Sequence, residues 1–360
     1  MEAELRRDPF SGTWVSVAAG RARRPVEARD AGECPFCPGN EDMTPPELAS
    51  WREETGRHWL VRVVDNLFPA LVPRAGGPSA REEVYDAMPA AGANEQLYHA
   101  MPALGPHEEL YHAVPAVGAH EVIVEHPDHH VTWASMEEQH LSLVLKAWQA
   151  RYRYHAGDPL VRYVQLFRNS GPASGASLSH PHSQLVALPL IPLSLEAELS
   201  RAARYSSATG NCAYCKVVAR EEGGTRLVLA NGDFVAFCPF ASRVPYETWV
   251  VPRRHQPEFG CLTPPELASL AGMLRALAAS HFEIPGGTSF NLILHTAPCD
   301  GGSYAHYHWH LEWIPRTGTA GGFEWGTGWF INTVPPEAAA RRLRSHLGAS
   351  KLAGPDREHS

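Results

Sequence analysis

Asn169-Ser-Gly171-Pro-Ala-Ser-Gly175-Ala-Ser177-Leu-Ser-His180-Pro-His182-Ser-Gln184 is the stretch on which the reading of this chain turns. Pro181 disfavours helix, and in an extended segment alternate side chains share a face, so His180, His182 and Gln184 have the same parity. The arrangement suits one histidine holding a metal while the other points into a site beside it. Upstream, Asn169, Gly171, Gly175, Ser177 and Ser179 supply backbone N–H and side-chain donors of the kind that cradle phosphate oxygens. A neutral imidazole among such donors is suited to attack phosphorus and carry a nucleotidyl group, dividing one difficult transfer into two easier ones. The plainer reading of the same string is a polar strand end with a structural histidine.

Working outward, the metal-type residues recur in two series. Cys34-x-x-Cys37 is followed by His129, a helix start at Ser135-x-x-Glu138, and His180-Pro-His182. Cys212-x-x-Cys215 is followed by a strand Thr248–Pro252 leading to His255, a helix start at Thr263-x-x-Glu266, and His308-Trp-His310. His129 and His180 stand 51 positions apart, and His255 and His308 stand 53 apart. Tetrahedral zinc takes four soft or borderline ligands, and a C-x-x-C knuckle with two remote histidines supplies them. The expected sites are therefore Cys34, Cys37, His129 and His180, and Cys212, Cys215, His255 and His308, both closed and structural. His126 and His130 flank His129 and compete for its assignment. Both helix starts carry the capping-box pattern of a hydroxyl residue with Glu three positions on.

Two other repeats carry no chemistry. Tyr85, Tyr98 and Tyr111 open three copies of a 13-residue unit, read as a duplication that lengthens a surface loop. The identical strings Thr44-Pro-Pro-Glu-Leu-Ala-Ser50 and Thr263-Pro-Pro-Glu-Leu-Ala-Ser269 fall at different places in the two series and are read as coincidence.

The bulk composition bounds the rest. The chain has 360 residues, 44% hydrophobic and 19% charged, with 31 prolines and 30 glycines, an α+β composition with many turns. A net charge of −8 argues against a nucleic-acid partner, which needs an extended basic face. The charged start Met1–Arg7 and the short, proline-broken apolar run 185–193 give no leader or membrane span, so a cytoplasmic enzyme is expected.

At this point the chain resembles the galactose-1-phosphate uridylyltransferase family of the histidine-triad superfamily. The likeness is carried by Arg6-x-Asp8-Pro, Arg21-Ala-x-Arg24-Pro, Cys34-Pro-Phe-Cys37-Pro-Gly-Asn40, Asn66-x-Phe-Pro-Ala-Leu71, Gly118-x-His-Glu-Val-Ile-Val-Glu125 and His180-Pro-His182-x-Gln184. In the C-terminal part it is carried by Gly322-Phe-Glu324-Trp-Gly-Thr-Gly328. The resemblance implies that His182 is the nucleophile and His180 a zinc ligand. It also implies nucleotide or phosphate contacts for Arg21, Arg24, Asn66, Asn169, Gly175, Ser177 and Gln184, with Glu324 near the hexose. It further implies a ping-pong reaction in which UDP-glucose uridylylates His182 and galactose 1-phosphate then takes the uridylyl group. The implied fold is two histidine-triad-like halves, residues 1–192 and 193–350 with a polar tail 351–360, forming an antiparallel sheet (half-barrel) with flanking helices, in a homodimer.

Some members hold a second metal, often iron, through a glutamate and three histidines, matching Glu198, His295, His308 and His310. The second C-x-x-C favours zinc here. Leu67 replaces an acidic residue that some members carry after the Asn. ADP-sugar phosphorylase is the nearest alternative on the same motifs, and a non-catalytic zinc-stabilised nucleotide-binding protein is the alternative from another class.

Overall fold

A computed structural model describes residues 3–23, 34–72 and 112–350. The 13-residue copies beginning at Tyr85 and Tyr98 and the polar tail lie outside them. Among the described residues, the elements that position the site are strands β1 (Glu4–Arg7), β2 (Trp14–Val17), β3 (Glu47–Arg52), β4 (Trp59–Asp65), β5 (His112–Pro115), β6 (Ala119–Val124), β7 (Tyr163–Ser170), β8 (His182–Leu188), β9 (Leu227–Ala230), β10 (Phe234–Phe237), β11 (Thr248–Pro252), β12 (Phe290–His295) and β13 (His310–Pro315). The helices are α1 (Glu138–Ala156), α2 (Leu193–Thr209), α3 (Ala213–Glu221), α4 (Pro264–Phe282), α5 (Gly322–Thr327) and α6 (Pro336–Ser350). The α+β expectation holds.

Ten strands form one open sheet in the order β3-β4-β6-β8-β7-β12-β13-β11-β10-β9, every neighbouring pair antiparallel. Read from either edge the order is the same up to an exchange of series: β7 meets β12 at the middle, β8 corresponds to β13, β6 to β11, and β4 to β10. The spacing repeat in the sequence is thus a repeat of strands. A separate three-stranded sheet, β2-β1-β5, packs Leu5, Val114 and Leu71 together beside it.

Parity divides the large sheet into two faces. Val61, Val63, Ile123, Leu166 and Leu185 point to the face covered by α1 and α4. On α1 the buried residues Leu141, Val144, Leu145, Trp148 and Tyr152 recur at helical spacing. On α4 Leu267, Leu270, Ala271, Leu274, Leu277 and Ala278 do the same. Trp148 donates from Nε1 to Ser183 Oγ at 2.7 Å, which seats α1 on β8 behind the active strand. Burying each of these large apolar side chains stabilises the fold by roughly 1.5–3 kcal/mol, which fixes the register that carries the other face.

The two capping-box expectations part company. At α4 Glu266 N donates to Thr263 Oγ1 and the Glu266 carboxylate accepts from Thr263 N, as expected. At α1 the helix begins at Glu138 behind Glu137, with no side-chain cap. Ser135 instead closes a turn with Thr132, donating its backbone N–H to the Thr132 carbonyl at 3.1 Å. A local hydroxyl turn won over the cap because both use the same serine. No helix among the described residues is long and apolar enough to cross a membrane.

Candidate active site

On the sheet face away from α1 and α4, cross-strand register lines up polar side chains from four strands. Gln184 pairs with Val122 of β6 and Phe167 of β7, His182 pairs with Val124, and Asn169 pairs with Asn291. Since paired residues share a face and parity alternates, Asn291, Asn169, His182, Gln184 and His120 all stand on this side. Asn66, one residue beyond β4, joins them through its backbone N–H to the His120 carbonyl at 2.7 Å. The charged partners in the same motifs face the other way. Glu121 accepts from Arg151 and contacts His155 of α1, and Glu125 accepts from Arg168 and from Trp133 Nε1.

His182 is buried, with Nδ1 2.8 Å from the His180 carbonyl. A carbonyl only accepts, so Nδ1 carries the proton and the lone pair of the neutral ring sits on Nε2. Phe36 packs on the ring at 5.4 Å between centroids. His180 turns its own Nδ1 toward the cysteines. Cys37 Sγ lies 3.4 Å from His129 Nδ1 and 3.5 Å from His180 Nδ1, and the four donor atoms, including Cys34, lie within 4.8 Å of one another. The outer nitrogens are fixed as well: His180 Nε2 donates to the His126 carbonyl at 2.7 Å, and His129 Nε2 meets Ser179 Oγ at 2.9 Å. Such outer contacts orient a ligating ring and set its tautomer. His126 meets the cluster through its carbonyl while its ring Nδ1 accepts from Asp128 N, and it is His129 whose Nδ1 stands beside Cys37 Sγ. Burial pushes the His180 imidazole down to about 4, keeping the neutral form a metal needs.

The second series repeats this geometry. Cys215 Sγ lies 3.3 Å from His255 Nδ1 and 3.5 Å from His308 Nδ1, and His255 Nε2 donates to the Ala305 carbonyl. The ligand rings cross at 88° with centroids 5.2 Å apart in both clusters. Glu198, His295 and His310 form a third, separate cluster. His308 belongs with the cysteines, so the four-residue set Glu198, His295, His308 and His310 is not assembled. Burial opposes protonation of His295, but the Glu312 and Glu198 carboxylates hold it up to about 10.

Of the other sequence-derived residues, Arg21 donates to the Phe68 carbonyl at 2.5 Å and lies 3.4 Å from His120 Nδ1, so it reaches the polar belt. Arg24 lies outside the described residues. Gly175 adopts φ +81° with open space about it, the left-handed region that favours glycine. Ser177 is half-buried beside it. Glu324 does not join the belt; its carboxylate accepts from Gly321 N at the start of α5. His120 and Asn291 were not singled out from the sequence. Their signal was strand parity: His120 stands at even spacing from Val122 and Val124, on the face shared with His182.

The family description "Galactose-1-phosphate uridyl transferase, N-terminal domain" matches residues 2–192, more than half the chain. The chain belongs to the galactose-1-phosphate uridylyltransferase family. It is a nucleotidyltransferase. It is 29% identical over 352 residues to ADP-glucose phosphorylase of Arabidopsis thaliana, covering 95% of this chain and 92% of that one. It is 27% identical over 356 residues to galactose-1-phosphate uridylyltransferase of Thermotoga maritima, covering 95% and 98%. A solved structure described as "Structure of uridylyltransferase" superposes with TM-score 0.75 at 29% identity, covering 96% of this chain and 99% of that one.

As a member of the galactose-1-phosphate uridylyltransferase family, the chain carries the H-x-H motif twice, and the two copies differ in what surrounds them. His310 Nδ1 faces the His308 carbonyl at 3.3 Å, the counterpart of His182. At the position of Val122, however, the second series has Trp249, which pairs with Glu312 and stacks on His310 at 4.8 Å. At the position of Gln184 it has Glu312. An indole thus lies over that ring, and the Glu312 carboxylate beside it is paired with Arg243 and His295.

Proposed function

We propose that the chain transfers a nucleoside monophosphate from a nucleoside diphosphate sugar to an anionic acceptor through a covalent adduct on His182. The observation that carries this reading is the pairing of His180 and His182, one nitrogen turned to the cysteine cluster and the other ring held by its Nδ1–H with Nε2 as nucleophile. Nε2 attacks the α-phosphorus, the P–O bond to the sugar 1-phosphate breaks, and the sugar 1-phosphate leaves. The acceptor's phosphate oxygen then attacks the same phosphorus and the P–N bond breaks, restoring His182. The His180 carbonyl on Nδ1–H stabilises the positive charge that builds on the ring while it carries the group. Arg21, Arg24, Asn66, Asn169, Gly175, Ser177 and Gln184 supply donors for the nucleotide phosphates, and Glu324 a contact to the hexose.

For the substrates we favour UDP-glucose as donor and galactose 1-phosphate as acceptor, by analogy with the Thermotoga relative. A second reading, an ADP-sugar phosphorylase with inorganic phosphate as acceptor, is favoured by the identity to the Arabidopsis relative. Incubation with UDP-glucose and ADP-glucose separately, followed by intact mass and product analysis, tests both. An adduct with UDP-glucose and turnover only with a hexose 1-phosphate supports the first, and ADP from ADP-glucose and phosphate supports the second. Absence of an adduct with either nucleotide sugar overturns the covalent reading. The non-catalytic alternative predicts no turnover in any arm.

Both Cys2His2 clusters fit zinc, because Zn–S near 2.3 Å and Zn–N near 2.0 Å in a tetrahedron place S and N about 3.5 Å apart. When bound, the ion would cross-link the segments that supply its ligands; the closed donor sets leave it a structural part. Thiolates held as ligands suit a reducing compartment, the cytoplasm. We divide the chain into halves 1–192 and 193–350. A homodimer accords with Trp325, Trp329, Phe330 and Ile331, exposed together in and after α5.

A further inference from the structure

Asn169 and Gln184 each have a side-chain oxygen committed within the protein, and the commitment can be followed back to backbone groups whose polarity is fixed. Ala70 N donates to His120 Nδ1 at 3.0 Å, so Nδ1 is the acceptor and the neutral ring carries its proton on Nε2. Arg21, a donor only, also approaches Nδ1. His120 Nε2 lies 2.9 Å from Gln184 Oε1 and therefore donates to it. Phe68 N donates to Asn66 Oδ1, which turns the Asn66 amide nitrogen inward, 3.1 Å from His120 Nε2 and 3.5 Å from the same Gln184 oxygen, so that two donors converge on that oxygen. On the other side of His182, the Ser174 carbonyl accepts from Asn291 Nδ2 at 3.0 Å, and that nitrogen donates again to Asn169 Oδ1 at 2.7 Å. Among the described residues no protein hydrogen bond is made by the side-chain nitrogen of either Asn169 or Gln184.

We propose that His120 and Asn291 are positioning residues that set the polarity of two amides on the face of His182, binding their oxygens so that their N–H groups serve the phosphoryl group. A primary amide is nearly symmetric in shape, and a flip would present an oxygen lone pair to an anion where a donor is needed. His120, buried in the motif Gly118-x-His-Glu, acts on the amide of its own half. Asn291 reaches across the β7–β12 seam, so the second half contributes to the site through a strand and not through its own H-x-H motif. The inference rests on the covalent transfer proposed above.

The test is a pair of double-mutant cycles read as the single-turnover rate of adduct formation with the nucleotide sugar that labels the wild type. His120→Ala alone is expected to slow adduct formation roughly 10- to 100-fold, the effect of losing one hydrogen bond to a charged group. In a Gln184→Ala background the same change is expected to cost less than about 2-fold, because the amide it orients is gone. Asn291→Asp keeps the shape but replaces the donor with acceptors, which would draw the Asn169 nitrogen inward. It should match Asn169→Ala in rate and add nothing to it. Metal content and thermal midpoint of each single variant separate a folding failure from a polarity effect. Additive losses in both cycles would overturn the inference while leaving the covalent reading intact, as would single variants at wild-type rate. A wild type that forms no adduct overturns both.

Discussion

Replacing His182 by alanine separates two effects that differ enough to be told apart. The structural loss includes the hydrogen bond from Nδ1–H to the His180 carbonyl and the packing of the ring on Phe36. A buried carbonyl left without its donor costs about 1–3 kcal/mol, so the variant is expected to unfold a few degrees earlier but to fold. The chemical loss is the nucleophile, and removal of a group that acts as one unit with its surroundings lowers turnover by roughly 10⁴-fold or more. At 1.36 kcal/mol per decade this is about 5.5 kcal/mol of barrier, well beyond the folding term. The assay is intact-protein mass after incubation with each nucleotide sugar, run beside a turnover measurement, with circular dichroism and metal analysis on the same preparation. The expected result is a folded, metal-bearing protein with no adduct. If the alanine variant still gains the nucleotidyl mass, or turns over within about 10-fold of wild type, another residue carries the group and the assignment of His182 fails.

Further outcomes follow from other parts of the molecule. Ser179→Ala removes the hydroxyl on the outer nitrogen of His129 and is expected to weaken metal retention roughly 10-fold in a chelator competition. Thr263→Ala removes the cap of α4 and should lower stability by about 1 kcal/mol in a denaturant titration, whereas Ser135→Ala, at a turn rather than a cap, should not reproduce a capping loss. The Arg254 guanidinium, with the cap donors, holds the Glu266 carboxyl down to about 2. A carboxyl depressed in the folded state adds stability above its unfolded value and loses it as pH falls. The contribution should therefore fade between about pH 4.5 and 2, and Glu266→Gln should flatten that part of the stability profile. Trp325→Glu is expected to shift the solution mass from dimer to monomer by light scattering, and an unchanged mass would remove that segment from the interface.

The sequence by itself determined the residues that meet at the two metal-type clusters. Cysteine and histidine have few other reasons to recur at matched spacing, and strands of fixed rise convert matched spacing into matched geometry. Parity in the H-P-H stretch likewise placed His182 and Gln184 on one face. Local signals were weaker where two local structures compete for one side chain. Ser135 had the cap pattern but was drawn into a turn with Thr132, while Thr263 with the same pattern became a cap.

The two copies of Thr-Pro-Pro-Glu-Leu-Ala-Ser make the limit plain. Residues 44–50 run into edge strand β3, where Arg52 and Arg62 hold Glu47 and Thr44 accepts from Arg62, while residues 263–269 open helix α4. Seven identical residues carry the same propensities, so the difference comes from an available strand edge in one place and a buried helix-packing face in the other. Tertiary structure decided what covers each H-x-H copy. Glu312 in place of Gln184 is legible in the chain, but only the cross-strand register sets Trp249 opposite Glu312 and onto the His310 ring, where the first series has Val122 opposite Gln184.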